Sequence, residues 1–315
     1  MRIVFMGTPE LAKVCLEAVL RHPAAEVVGV FTQVDKPKGR GMKMIPSPVK
    51  ELALARGIPV YQPTTFRNEA CLDLLKELDP EVIIVAAYGK ILPQYVLDYP
   101  KYGCMNAHGS LLPKYRGASP IQRAIMDGET ETGITAMRMD AGIDTGDMYF
   151  TYPCPIAPED DFGTVHDRLA VLAGEAMCRV IDAILDGTLE SYRKKQPEKG
   201  ASYAAKIEKE DTILDFTRGA WEIWCQIRGL SPIPGGLTHT PDGKLLKFVG
   251  VSAECGMTGA DSVPGTVVDL SHGVTVVCGD GGTVTATYVV PEGKSRMAAA
   301  DYIRGRKLHV GDVLR

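Results

Sequence analysis

The run Val82-Ile83-Ile84-Val85-Ala86 constrains this chain more than any other segment. An unbroken apolar stretch rich in β-branched residues has no polar face, so it fits neither a half-exposed strand nor the surface of a helix. Strands of this kind are buried on both faces, which requires a parallel sheet covered by helices on each side. The run is far too short to cross a bilayer, which takes about 20 apolar residues. Neighbouring segments supply the rest of such a sheet. Arg2–Phe5 and Val27–Phe31 read as further strands, with Pro9–Leu20 as the helix between them. Thr8 is the expected N-cap of that helix and Pro9 falls in its first turn. Ser47-Pro48 opens a second helix through Arg56, closed by Gly57, and Asn68–Leu78 puts Leu72, Leu75 and Leu78 on one helical face. Cys104–Ala107, Ile134–Met139 and Met148–Tyr152 follow as strands, and Thr164–Leu185 as a long amphipathic helix. This alternation predicts an α/β fold with a doubly wound, Rossmann-like domain over residues 1–189.

Near Leu189 the character changes. Glu190–Gly200 is polar and charged, and residues 190–207 are expected to form a linker. Beyond it a helix at about Trp221–Arg228 precedes short strands at Lys244–Val251, Gly265–Asp269, Val274–Cys278 and Thr283–Val290, separated by glycine-rich turns. Residues 208–315 therefore read as a small antiparallel barrel or sandwich.

A net charge of −4 provides no global basic field to draw the protein to nucleic acid, so such a partner would have to be gripped locally. Lys36, Lys38, Arg40, Lys43 and Lys50 stand against Asp35 alone in one stretch whose glycines and prolines predict a mobile loop. The eight cysteines are scattered and contain no Cys-x-x-Cys, which excludes a disulfide framework or a paired-ligand zinc site and suits core positions in a reducing compartment. Met1–Phe5 runs straight into Gly-Thr-Pro, too short for a signal peptide, so the expected location is cytoplasmic with no membrane partner.

The first strand–helix turn, Phe5-Met6-Gly7-Thr8-Pro9, lacks the glycines through which a backbone approaches a pyrophosphate, and no phosphate-binding Gly-x-x-x-x-Gly-Lys loop occurs. Attention falls instead on Asn106 and His108. Two residues apart on a strand, they share one face, where an amide and an imidazole can both donate to a developing oxyanion. A core histidine beside a turn-forming asparagine is the plainer alternative, and local evidence leaves both open. Asp140, Asp144 and Asp147 form a second cluster. Ordinary turn formation accounts for them taken alone, although a carboxylate beside His108 would orient the imidazole.

His108-Gly109-Ser110-Leu111-Leu112-Pro113-Lys114-Tyr115-Arg116-Gly117, with Asn106 before it and Asp144-Thr145-Gly146-Asp147 after it, resembles the signature of the folate-dependent formyltransferases. The resemblance implies a catalytic set of Asn106, His108 and Asp144. It also implies a 10-formyltetrahydrofolate site lined by Ser110, Leu111, Leu112 and Pro113, and chemistry that needs neither a metal nor a covalent enzyme intermediate. Met6–Glu10 and the basic stretch Asp35–Lys50 resemble the branch of that family that formylates methionyl initiator tRNA. There the loop enters the acceptor-stem end, with Arg40 at the key position and Lys36, Lys38 and Lys43 beside it. An OB-like C-terminal domain also suits that branch, a fold often used for nucleic acid. The alternatives are a sugar-nucleotide formyltransferase and, more distantly, a non-catalytic RNA-binding protein.

Overall fold

A computed structural model describes residues 1–38, 43–257, 262–305 and 307–315; Arg40 lies outside them. In chain order the strands of the first part are β1 (Arg2–Gly7), β2 (Glu26–Phe31), β3 (Lys36–Lys38), β4 (Lys43–Ile45), β5 (Val60–Tyr61), β6 (Val82–Ala86), β7 (Cys104–His108), β8 (Arg116–Gly117), β9 (Glu131–Arg138), β10 (Met148–Pro155) and β11 (Tyr203–Ala204). Seven of them form one sheet in the order β10-β9-β7-β6-β1-β2-β5. From β1 the chain winds outward through β2 to β5, then returns to β6 and β7 on the other side. The ladders β1–β2, β2–β5, β1–β6 and β6–β7 are parallel, and β7–β9 is antiparallel. The apolar run is the β6 strand, and all its residues are buried. Each of its valines and isoleucines stabilises the fold by about 1.5–3 kcal/mol through burial.

The helices are α1 (Glu10–Arg21), α2 (Pro48–Ala55), α3 (Leu72–Leu78), α4 (Gln94–Leu97), α5 (Pro120–Met126), α6 (Phe162–Leu185) and α7 (Ala220–Leu230). On α1 the buried stripe Leu11, Ala12, Cys15, Leu16 and Val19 follows helical spacing. Gly7 lets this helix approach β1, because a Cβ there would meet that of Ala12 at 2.6 Å. Ser47 caps α2, its hydroxyl accepting from the Lys50 amide at 3.1 Å. Two expectations fail. Pro9, not Thr8, occupies the N-cap of α1, and Thr8 Oγ1 donates instead to the Tyr88 carbonyl at 3.2 Å. The helix expected from Asn68 begins at Leu72, because Asn68 and Glu69 adopt left-handed backbone angles that break helical continuity.

The chain divides into two units, and the division does not follow chain order. The first comprises Met1–Ala118, Thr132–Cys154 and His166–Ala204, and the second Ser119–Glu131, Pro155–Val165 and Ala205–Arg315. Most of the segment expected as a linker thus belongs to the first unit. Within the second unit α5 packs on α7 at Gly229, where a Cβ would come within 2.5 Å of Met126 Cγ. The sheets there are two antiparallel sets of four strands. One holds Gly236–His239, Leu245–Phe248, Tyr288–Pro291 and Met297–Ala298; the other holds Gly256–Met257, Gly282–Ala286, Val274–Val277 and Val267–Asp269. Trp224, Phe248, Val276 and Val284 lie in their common core. Arg228 stacks over Trp224 at 4.1 Å and donates to the carbonyls of Asp160 and Ala157, and its burial lowers its pKa.

None of the eight cysteines forms a disulfide, and burial pushes the Cys104 thiol up to about 12. No helix among the described residues is long and apolar enough to cross a membrane.

Candidate active site

The β7 strand ends at His108, beside the point where the strand order of the sheet brings β6 and β9 against it. Asn106 pairs in register with Val85 and Met137, and His108 with Thr135. Strand alternation puts both side chains on one face, as expected from their spacing. His108 is buried, with 5% of its surface exposed. Its Nε2 donates to the Tyr115 carbonyl at 2.8 Å, while Nδ1 lies 3.5 Å from Asp144 Oδ2. Both ring nitrogens therefore face oxygen atoms. The half-buried Asn106 amide has no hydrogen bond to another described residue, leaving its donors open on the face it shares with His108.

Of the three aspartates, only Asp144 is brought to the histidine. Asp140 Oδ1 accepts from the Gly142 amide at 3.0 Å and from Thr145 Oγ1 at 2.7 Å, which is turn formation. Asp147 pairs with Arg193 Nε at 2.6 Å. Asp144 sits at a positive φ of 51°, a conformation that costs an L-residue and here aims its carboxylate inward. Oδ2 also accepts from the Gly117 amide at 2.8 Å.

The stretch from Ser110 to Pro113 is held by its own polar groups. Thr135 Oγ1 donates to the Ser110 carbonyl at 2.7 Å and accepts from the Leu112 amide at 3.1 Å. Ser110 is fully buried and its hydroxyl donates to the Lys114 carbonyl at 2.6 Å, so Ser110 shapes the loop. Leu112 is buried, whereas Leu111 and Pro113 keep partly accessible surfaces.

Sequence reasoning missed the groups that hold this loop from outside. Ser202 Oγ accepts from the Tyr115 amide at 2.9 Å, and β11 pairs with β8 at Arg116 and Gly117. Gly117 has φ +111°, and a Cβ there would meet the Ala204 carbonyl at 2.8 Å, so the strands approach this closely only because the residue is glycine. Gln196, 6% exposed, accepts from Arg116 Nε and Nη2 at 3.0 and 2.8 Å and donates to the carbonyls of Asp144 and Gly146, both at 2.8 Å. These residues lie in a polar, charged stretch that carries no apolar periodicity, so only its direct contacts reveal them. A cavity of about 540 Å³ borders the same turn, lined in part by Leu97, Arg116, Arg138, Met139, Gly146 and Gln196. Its size falls within the range that holds a small organic ligand.

The basic stretch is ordered at its base. The β3 and β4 strands pair as an antiparallel hairpin, with Lys36 opposite Ile45 and Lys38 opposite Lys43, so the expected mobile loop has paired flanks. Lys50 is engaged elsewhere, donating to Asp35 at 2.6 Å and to Gln62 at 2.8 Å. That ammonium holds the Asp35 carboxyl below the usual range. Lys36 is exposed.

A formyl transferase family profile matches residues 1–181, and its C-terminal domain profile matches residues 206–307. The chain belongs to the formyl transferase family. Among curated relatives of this formyltransferase, the methionyl-tRNA formyltransferase of Dictyoglomus turgidum is 41% identical over 315 residues, 99% of this chain and 98% of that protein. The methionyl-tRNA formyltransferase of Symbiobacterium thermophilum is 45% identical over 313 residues, covering 99% of this chain and 94% of its own. Among solved structures, HypX of Aquifex aeolicus in complex with tetrahydrofolic acid aligns with a TM-score of 0.62 at 16% identity, over 96% of this chain and 47% of HypX. This formyltransferase thus spans about half the length of HypX. The N-formyltransferase of Helicobacter canadensis, solved with folinic acid and dTDP-3-aminofucose, aligns with a TM-score of 0.60 at 19% identity, over 91% of this chain and 98% of that one. At such identities the structural likenesses speak for the fold.

Proposed function

We propose that this formyltransferase moves the formyl group of 10-formyltetrahydrofolate to the α-amino group of methionyl initiator tRNA, giving N-formylmethionyl-tRNA for translation initiation. The observation that carries this reading is the identity of 41–45% to relatives named for that reaction, extending through nearly the whole chain. On this reading the protein works in the cytoplasm beside the translation machinery.

The site residues would share the work as follows. An α-amine has a reference pKa of about 7.7–8.0, so near pH 7 a usable fraction is neutral and attacks the formyl carbon without a strong base. As the new C–N bond forms, negative charge gathers on the formyl oxygen. The open amide of Asn106 offers donors to it, each worth about 2.7–4 kcal/mol in such settings, and the His108 imidazole stands on the same strand face. Asp144, anchored by the Gly117 amide, faces that imidazole with its charge and takes part in moving the amine proton to N10 as the bond to N10 breaks. Ser110, Leu111, Leu112 and Pro113 would line the donor site, and Lys36, Lys38, Arg40 and Lys43 would meet the acceptor stem.

A panel of acceptors tests the reading. Formyl transfer to methionyl initiator tRNA is expected, with none to an amino sugar nucleotide. Transfer to the sugar nucleotide in preference to the tRNA would overturn it.

A further inference from the structure

We propose that Gln196 is a positioning residue for formyl transfer, acting through the main chain of the Asp144 turn. This rests on the reading of His108 and Asp144 given above. The side chains of the pair are held from three consecutive residues. Tyr115 supplies the carbonyl that accepts a hydrogen bond from His108 Nε2, Gly117 supplies the amide that donates to Asp144 Oδ2, and Arg116 between them donates twice to Gln196. Gln196 closes the circuit, because its Nε2 holds the carbonyls of Asp144 and Gly146. One buried side chain thus ties the carboxylate's own backbone to the Tyr115–Gly117 segment that anchors both its Oδ2 and the imidazole.

The chemistry asks for a primary amide. Oε1 faces two guanidinium donors and Nε2 faces two carbonyls, so one end of the side chain must accept twice while the other donates twice. A carboxylate keeps the first half and sets an oxygen against two carbonyl oxygens in the second. An isosteric hydrocarbon keeps neither. The left-handed backbone at Asp144 also needs holding in place, since such strain persists only where its surroundings over-determine it. A shift of about 1 Å in a reacting group costs about 10²-fold in rate, which sets the size of the effect to look for.

The test compares Gln196→Leu and Gln196→Glu with the wild type for kcat, for KM with methionyl-tRNA, and for amide hydrogen exchange over residues 144–147. We expect kcat per folded molecule to fall about 10–100-fold in both variants, with KM for the acceptor changed much less. Exchange across the turn should quicken in both. Wild-type kcat in both variants would overturn the inference and leave Gln196 a fold residue. So would loss in the leucine variant with full activity in the glutamate variant, because that pattern assigns the role to Arg116 alone. Should the wild type formylate a different amine, the reading of the acceptor falls while the kcat comparison is made on that amine. The exchange measurement needs no acceptor, and unchanged exchange would overturn the inference under either reading.

Discussion

Asp144→Asn isolates charge from shape at the centre of the site. The asparagine is isosteric, and its amide oxygen can still accept from the Gly117 amide that now binds Oδ2 at 2.8 Å. What disappears is the negative charge 3.5 Å from His108 Nδ1. A unit positive charge that develops on the imidazole about 4 Å away would interact with it by about 4 kcal/mol at an effective dielectric near 20. Asp144 keeps 18% of its side-chain surface in solvent, so this is a ceiling that water lowers. Taking about half of it, about 2 kcal/mol, the charge contributes about 30-fold to kcat; the full figure would give about 10³-fold. Because the lost interaction matters most when charge develops in the transition state, kcat should fall while KM for donor and acceptor moves little. Steady-state kinetics near pH 7 with both substrates, alongside a thermal melt, reads all of these. A folded variant whose kcat stays within about threefold of wild type would refute the electrostatic role and leave Asp144 a turn residue.

Other perturbations bear on separate parts of the account. Tyr88 is 2% exposed and its hydroxyl has no hydrogen-bond partner among the described residues, so Tyr88→Phe should leave Tm unchanged or raise it; a fall beyond about 4 °C would show that the hydroxyl has a partner in solution. Arg40→Ala should raise KM for the tRNA and flatten the salt dependence by roughly 0.7–0.9 in log–log slope, and Arg40→Lys should keep the slope yet remain impaired; wild-type behaviour of both across a salt titration would remove the loop from the tRNA contact. Arg123 donates to Asp211 at 2.7 Å and holds its carboxyl below the usual range, so the contribution of that pair is present at neutral pH and fades as pH falls through the lowered value. Arg123→Gln should accordingly lower Tm more at pH 7 than near pH 3, and an equal drop at both would contradict the assignment.

Much of the first unit is legible in sequence because burial writes a period into it. The unbroken apolar run of β6 and the helical stripe of α1 are direct consequences of two-sided and one-sided burial. Ser47-Pro48 is legible for a local reason, since a cap hydroxyl and a first-turn proline act within one turn of helix. Asn106 and His108 share a face by strand alternation alone. Asp144 is harder to single out: its neighbours Asp140 and Asp147 are chemically identical in sequence, and its left-handed backbone and its contacts with His108 and the Gly117 amide separate it from them. Gln196 and Ser202 carry no signal at all. They sit in a polar stretch, and their importance comes from partners some 50 and 87 positions away along the chain. Thr8 misleads for a related reason, because a hydroxyl suited to a local cap is recruited by the distant Tyr88 carbonyl.

The central claim is that the His108 site catalyses transfer of a formyl group to methionyl-tRNA. Single-turnover transfer of labelled formyl from 10-formyltetrahydrofolate to methionyl initiator tRNA, run in parallel on wild type and His108→Ala, addresses it directly. The account predicts labelled tRNA with wild type and a rate about 10²–10⁴-fold lower with the variant, with donor binding nearly unchanged. Label on the tRNA at more than about a tenth of the wild-type rate from a folded His108→Ala enzyme would contradict it.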